Sequence, residues 1–516
     1  MSIEAVAPRR RLGPGDVGEA LRRAFPDRRF LVVSNREPYE HSWDDRQAEI
    51  VVRRPAGGLV AALDPLMQAA GGVWIAWGSG EADADVVDER QRVRVPPEEP
   101  AYTLRRLWLD EQDIHHYYYG YANQFLWPLC HLRPKLTRIR SRYWQRYEAV
   151  NQRFADAVLD EVAGDRAAIW FQDYHLALAP VQVRRRRSDL AISHFWHIPF
   201  PPLELFRVAT NGADLLDGLL ANDLLGFHLP LFCDNFLRCV ESVLNVPVDW
   251  DRRAVARADH TCFVRALPIS IDIDAYAEAA TAPGAEARLA RIRSRYTPRG
   301  GKLGIGVDRI DYSKGLEEKL SALDMLWDRY PELREQFTYV QVAVPSRTGI
   351  EAYDWLREKL DRMVWSINDR YGTADWRPIH LLDESLPMER LALLYRAADM
   401  CVVSSLQDGM NLVAKEYVAS QVDEPGGVLV LSRFAGAVEE LDGSVEVNPY
   451  DPESFAATMH EALSLTAAER SDRLDRLQRS LRSIYDWMAE TFDVWGAVMR
   501  GEDAPLSAAD RWNRFR

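Results

Sequence analysis

The stretch MCVVSSLQDGMNLVAKEYVAS, residues 400–420, decides how the rest of the chain is read. Met400 to Val403 is an apolar run, short enough for a buried strand. From Asn411 the pattern turns helical, with Val413, Tyr417 and Val418 on one face. Between them lie an acid, a glycine and an amide: Asp408, Gly409 and Asn411. A strand that enters a helix through such a turn is half of a βαβ unit, whose ligands gather beyond the C-terminal strand ends. Gly409 lets a ligand approach the backbone closely. Unpaired N–H groups at the helix start favour an anion. Glu416 follows on the face of Leu412, where a carboxylate can accept from two neighbouring hydroxyls. Asp408 and Glu416 thus suit a sugar at one end and a ribose at the other. The plainer alternative is that Asp408 only caps the helix.

The same alternation extends in both directions. Upstream, apolar runs at 30–35, 72–77, 167–172 and 191–196 read as strands, with helical patterns at 58–70, 143–162 and 214–223. Residues 245–268 interrupt the series with short strands. It restarts with strands at 302–307, 338–344, 378–382, 428–432 and 445–449, and with helices at 316–329, 351–370, 388–397 and 411–421. Strands alternating with helices of this length imply an α/β fold with parallel sheets. The expected organisation is an N-terminal extension (1–29) of poorly ordered chain plus one short helix, then two Rossmann-like domains (30–268 and 269–470). A helical segment (471–516) follows. Two such sheets facing each other enclose a cleft, and the unusual polar clusters all fall at strand ends.

Bulk properties exclude several function classes. A net charge of −14 with no basic tail argues against nucleic acid as a partner. The one basic block, Arg184 to Arg187, reads as a solvated helix end. Five cysteines, an odd count with no C-x-x-C pair, disfavour disulfides and structural zinc and fit the reducing cytoplasm. No apolar run approaches the ~20 residues of a membrane span, and Arg9 to Arg11 are not followed by the apolar core of a secretory signal. No spacing suits a metal, and no P-loop, G-x-S-x-G or G-x-G-x-x-G after the first strand is present, so neither metal nor another cofactor is expected.

The remaining clusters carry charge or aromatic faces. GVDRIDYSKG (306–315) brackets a turn with Arg309 and Lys314, two cations able to neutralise a diphosphate leaving group. The alternative is surface pairing with Asp308 and Asp311. FQDYHLALAP (171–180) and FWHIPFPP (195–202) put Asp173, His175 and His197 at the ends of two strands. SNRE (34–37) ends the first strand with Arg36, PAGGLVAAL (55–63) offers Gly57 and Gly58, and VPSR (344–347) offers Arg347. Trp77, Tyr117, Tyr118 and Trp127 supply flat faces of the kind sugar rings stack on.

Taken together, LWPLCH, VNQRFADAV, QDYHLALAP, HIPFP, DRIDYSKG, PSR and DGMNLVAKEYVAS resemble the trehalose-6-phosphate synthases in order and rough spacing. These are retaining glycosyltransferases of the two-Rossmann GT-B type, and the resemblance runs from about residue 30 to 495. It implies transfer of glucose from a nucleotide-glucose, UDP-glucose foremost, to glucose 6-phosphate. On the donor side it implies Asp408 on the glucose hydroxyls and the Gly409, Met410, Asn411, Leu412 and Val413 backbone on glucose and diphosphate. Glu416 falls on the ribose, Leu386 on the base, Arg309 and Lys314 on the diphosphate, and Gly57 and Gly58 in a loop over the donor. His197 falls beside the reacting carbon. On the acceptor side it implies Arg36 and Arg347 on the 6-phosphate, and Asp173, Tyr118, Trp127 and Trp77 around the sugar. His197, Asp173, Arg309, Lys314 and Asp408 form the expected catalytic set. Its partners are a nucleotide sugar and a sugar phosphate, with homo-oligomerisation left open and no fused phosphatase expected. The sequence departs from the family at Gln407, Ser270 and Leu229, and its REPY (36–39) resembles the glucosylglycerol-phosphate synthases, which use glycerol 3-phosphate. That acceptor, and a catalytically silent sugar-phosphate sensor, are the alternative readings.

Overall fold

The computed structural model describes residues 11–44, 49–55, 58–347 and 349–511. Two sheets dominate it. The first contains Ala254–Ala256, Thr261–Ala266, Leu224–Phe227, Ala191–Phe195, Ala167–Gln172, Arg29–Val33, Val73–Trp77, Tyr102–Leu107 and Arg92–Val95, in that spatial order. Its inner strands are parallel, and an antiparallel strand closes each edge. Every residue of the central strands Ala167–Gln172 and Ala191–Phe195 is buried, as both faces are covered by helices. The second sheet is wholly parallel: Ile379–Leu382, Phe337–Val344, Lys302–Arg309, Met400–Val403, Val428–Ser432 and Val445–Val447.

This ordering places the site. In the second sheet the strands run 3-2-1-4-5-6 in chain order, so growth reverses between Lys302–Arg309 and Met400–Val403. In the first it reverses between Arg29–Val33 and Ala167–Gln172. A crevice opens where strand order reverses, because the flanking helices leave to opposite faces.

The chain's two ends are stapled to the first sheet. Helix Pro14–Ala24 packs against helix Ile484–Met499. Phe25 meets Trp495 at 4.6 Å, and Trp487 lies 5.3 Å from Trp170 and 5.1 Å from Phe195. The expectation of poor order before this helix concerns residues 1–10, which lie outside the described residues. Among the described residues no helix is long and apolar enough to cross a membrane, and all five cysteines are buried and free.

The structure corrects the reading of the basic block at Arg184 only, Arg185 and Arg186 being exposed at the helix end as expected. Arg184 is buried, paired with Asp223 at 2.8 Å and donating to the Ala221, Ser188 and Leu190 carbonyls. Its guanidinium thus donates to four protein acceptors in place of solvent. The hairpin of Glu40–Trp43 and Ile50–Arg53, the edge strands at 92–107 and helices Ile273–Thr281 and Ala285–Tyr296 are additional to the elements read from the sequence. So is a π-helical stretch, Ile114–Leu126, which buries Tyr117 and Tyr121 and leaves Tyr118 half-buried. Such widened turns often mark functional positions.

Candidate active site

At the second sheet's reversal, the two loops leaving the strands are locked together. Gly315 has φ +63°, and a Cβ there would lie 2.0 Å from the Ser404 carbonyl oxygen, so the loops close only around glycine. Ser404 Oγ donates to the Lys314 carbonyl (2.9 Å) and the Leu406 N–H to the Ser313 carbonyl (2.8 Å). Lys314 Nζ is thereby held 2.6 Å from Asp408 Oδ2. Ser405 Oγ (3.0 Å) and Asn411 Nδ2 (3.1 Å) donate to the same oxygen. Burial alone would raise the Asp408 carboxyl, but Lys314 overrides it and holds the group down at about 2. Asn411, not Asp408, caps helix Leu412–Ser420, through the Ala414 N–H at 3.2 Å. The Leu412 and Val413 N–H groups have no carbonyl one turn back. Glu416, one turn into the helix, accepts from the Tyr395 hydroxyl (2.9 Å) and from Tyr276, and burial raises its carboxyl.

At the first sheet's reversal stand Arg36 and Asp173, with His197 on the next strand end. Asp173 donates its N–H to the Phe195 carbonyl (2.7 Å), and its carboxylate accepts the His197 N–H (3.2 Å). Burial pushes the Asp173 carboxyl up to about 7, against the pull of the Tyr174 and His197 N–H groups and of Arg309 and Arg347. His197 Nε2 lies 2.9 Å from Gln172 Oε1, and burial keeps the imidazole neutral. With Nε2–H donated to that oxygen, a tautomer assigned from the contact, Nδ1 is left as an acceptor.

Trp127 joins the two halves. The Arg347 guanidinium lies 3.8 Å from its ring centre and that of Arg309 5.1 Å, while its Nε1–H points to Asp311 at 3.4 Å. Arg347 also bonds Asp311 (2.7 Å) and the Tyr353 hydroxyl (2.5 Å), and reaches the Tyr174 hydroxyl at 3.5 Å. Burial would raise the Asp311 carboxyl, yet Arg347 and Arg309 hold it far below the usual range. Tyr118 stacks on His175 and lies 5.8 Å from Trp77. Burial would raise its phenol, but Arg36, Arg347 and Arg309 together lower it. Among the described residues, neither Arg36 nor Arg309 is in an ion pair, unlike Lys314 and Arg347. Asp173 (φ +70°) and Arg347 (φ +48°), at or just past strand ends, and the helix cap Asn411 (φ +80°) all adopt positive φ, a strain that surrounding bonds must uphold.

Glycines mark where the halves touch. A Cβ on Gly409 would lie 2.8 Å from the His197 carbonyl oxygen, and one on Gly58 would lie 2.6 Å from Leu412 Cδ1. Gly57 lies outside the described residues. Leu386 follows the edge strand Ile379–Leu382, its side chain buried, so its backbone is what it can offer a ligand.

The chain matches the model of Glycosyltransferase family 20 over residues 28–494. It belongs to that family. A Mycobacterium marinum protein named trehalose-6-phosphate synthase is 37% identical over 503 residues, covering 94% of this chain and 96% of the relative. A Burkholderia xenovorans alpha,alpha-trehalose-phosphate synthase (UDP-forming), solved in complex with glucose-6-phosphate, superposes with a TM-score of 0.80 at 32% identity, covering 90% of this chain and 99% of that one. An E. coli trehalose-6-phosphate structure bound with UDP-2-fluoro glucose has a TM-score of 0.80 at 32% identity, covering 91% and 99%. This family 20 member is therefore a glycosyltransferase with the GT-B fold.

In this family 20 chain several site features went unread in the sequence. Asp311, which the alternative reading made a surface partner of Arg309 or Lys314, is the buried partner of Arg347, while Asp308 pairs with Lys319 at 2.6 Å. His131 stacks on Trp127 at 4.0 Å and bonds its carbonyl at 2.8 Å, and burial holds the imidazole near 4. Tyr174 and Tyr353 frame Arg347. The signal for His131 was its spacing, one helical turn after Trp127.

Proposed function

We propose that this glycosyltransferase moves glucose from UDP-glucose to glucose 6-phosphate, releasing UDP and forming α,α-trehalose 6-phosphate. The observation that carries the reading is a pair of guanidiniums without carboxylate ion partners among the described residues, one on each half of one cleft. Arg309 sits with Lys314 at the second reversal, and Arg36 with Tyr118 at the first, where Arg347 reaches across from the second sheet. Two such places suit two anions, a diphosphate and a phosphate monoester. The ligands named in the two related structures, a UDP-glucose analogue and glucose-6-phosphate, have that chemistry. Five free, buried cysteines favour the reducing cytoplasm as the place of action.

In the reaction, the bond from the glucose anomeric carbon to the diphosphate oxygen breaks, and Arg309, Lys314 and the helix start at Leu412 stabilise the departing charge. Asp408 Oδ2 already takes three donors, which suits it to hold sugar hydroxyls and not to attack carbon. The acceptor hydroxyl enters on the face the diphosphate leaves, and its proton passes to a diphosphate oxygen. Configuration is retained without the paired carboxylates of retaining hydrolases.

Release of UDP with each acceptor tests the assignment. The expected result is turnover with UDP-glucose and glucose 6-phosphate and none with glycerol 3-phosphate. Turnover with glycerol 3-phosphate alone would transfer the assignment to that acceptor, and no release with any pair would indicate a silent sensor.

Asp173 gives a pH prediction. A carboxylate near 7 loses its negative charge, and much of its strength as an acceptor for sugar hydroxyls, as pH falls. The kcat/KM for glucose 6-phosphate should therefore fall below pH ~7 in the wild type. Asp173→Asn should lower the plateau and remove that limb, leaving only the limb near pH ~6 that belongs to the substrate phosphate. An unchanged profile in the variant would remove Asp173 from acceptor binding.

A further inference from the structure

Behind the acceptor half of the cleft, four titratable side chains meet almost without solvent. The side chains of Glu37, Asp83 and Arg106 are fully buried, and that of His41 is 5% exposed. Glu37 takes Arg106 Nε on Oε2 (2.7 Å) and the Ser79 N–H on Oε1 (2.7 Å). Asp83 Oδ1 is the ion partner of Arg106 Nη2 at 2.8 Å, and its Oδ2 takes the Gly80 N–H (2.7 Å). Arg106 Nη2 also donates to the Tyr39 carbonyl (2.8 Å), and Asp83 Oδ1 accepts the His41 N–H (2.8 Å). The Trp77 and Gly78 N–H groups bond the Asn35 and Leu107 carbonyls, so four successive amides from Trp77 to Gly80 are fixed. A Cβ on Gly80 would lie 2.4 Å from the His41 carbonyl oxygen, which shows how tightly the two segments abut.

Stability alone gives little reason for ions here, because a buried ion cluster is seldom more stabilising than an apolar one of equal volume. Its particular property is direction. The planar guanidinium fixes the distance and angle between the segments it bridges. Those segments are 37–41 and 79–83, which directly continue from Arg36 and Trp77.

We propose that Glu37, Asp83 and Arg106 are positioning residues for the acceptor, setting the placement of Arg36 and Trp77 and thereby the preference for a phosphorylated sugar. The inference rests on the acceptor reading of Arg36 given above. The donor-side residues of the second sheet are untouched by this cluster, so its effect falls on one substrate only.

Steady-state kinetics of the full chain carrying Glu37→Gln, Asp83→Asn, Arg106→Lys or Arg36→Ala, with UDP binding and Tm alongside, form the test. Burial and the contact with Asp83 push the Glu37 carboxyl up to about 8 although Arg106 opposes them, so what Glu37→Gln changes is the hydrogen bond: it keeps an oxygen for the Ser79 N–H and turns an amide NH2 toward Arg106 Nε. Glu37→Gln and Asp83→Asn should raise the KM for glucose 6-phosphate about tenfold, keep kcat within about threefold, and leave the KM for UDP-glucose and the Kd for UDP unchanged. An acceptor KM within about twofold of wild type in folded Glu37→Gln would overturn the proposal, leaving the cluster a structural role. So would a parallel rise in both KM values. If Arg36→Ala also leaves the acceptor KM unchanged, it is the acceptor reading itself that fails. Should Arg106→Lys not fold, the two carboxamide variants decide the matter.

Discussion

Lys314→Ala is expected to lower kcat by about 10²–10³-fold while changing the KM for glucose 6-phosphate only a few-fold. In the proposed reaction the ammonium stands where the leaving group gains charge, and it is fixed before reaction by Asp408 at 2.6 Å and by the closed loops around Gly315. Such a charge stabilises the transition state more than bound donor, which places the loss in kcat. Removing Lys314 also strips Asp408 of its strongest partner, and a buried lone carboxylate could itself disable the site. The double variant Lys314→Ala/Asp408→Asn, compared with Asp408→Asn alone, separates the two causes. If Lys314 served only to neutralise Asp408, adding Lys314→Ala to Asp408→Asn would cost nothing further. We expect a further large loss of kcat, since the diphosphate still departs without its cation. Full kcat in Lys314→Ala would contradict the assignment outright.

Arg347→Ala is expected to act twice. Arg347 and Asp311 form an ion pair at 2.7 Å, with side chains 6% and 0% exposed. Deleting one partner of such a pair destabilises by about 3–5 kcal/mol, because the other charge stays buried. The same deletion removes a guanidinium that spans from the second sheet to Trp127 and Tyr174 on the first. The acceptor KM should therefore rise about 100-fold, the range for truncating a buried charged contact. Arg347→Lys separates the effects. A lysine can still neutralise Asp311, so Tm should largely return, but it lacks the planar fork that stacks on Trp127, so acceptor KM should stay high. Recovery of both together would reduce Arg347 to a structural residue.

Much of the architecture was written locally. In the second half each strand and helix announces itself within about ten residues, and the ends of strands supplied nearly every candidate ligand contact. What the sequence hid were partners far apart in the chain. Arg106 meets Glu37 across 69 residues, and Asp311 meets Arg347 across 36. A faint signal did exist for Arg106: in Tyr102–Leu107 the residues Tyr102, Leu104 and Arg106 alternate onto the buried face, and a charge in that register calls for a buried partner. Arg105, one place over, instead reaches Glu161 and Asp160. The burial of Asp311 was not legible because two cations flank it in sequence, whereas its direct partners are Arg347, Tyr353 and Trp127. The short hairpin at 40–53 gives too few alternating apolar positions to stand out from a loop.

The central claim is that fixed cations on one side of a cleft let glucose leave its nucleotide and join a phosphorylated sugar on the same face. The most direct test is proton NMR of the product formed from UDP-glucose and glucose 6-phosphate by the wild-type protein, with EDTA present. The account predicts one product with α configuration at both anomeric carbons, formed at the same rate with and without chelator. An α,β linkage, or a rate abolished by EDTA, would contradict it.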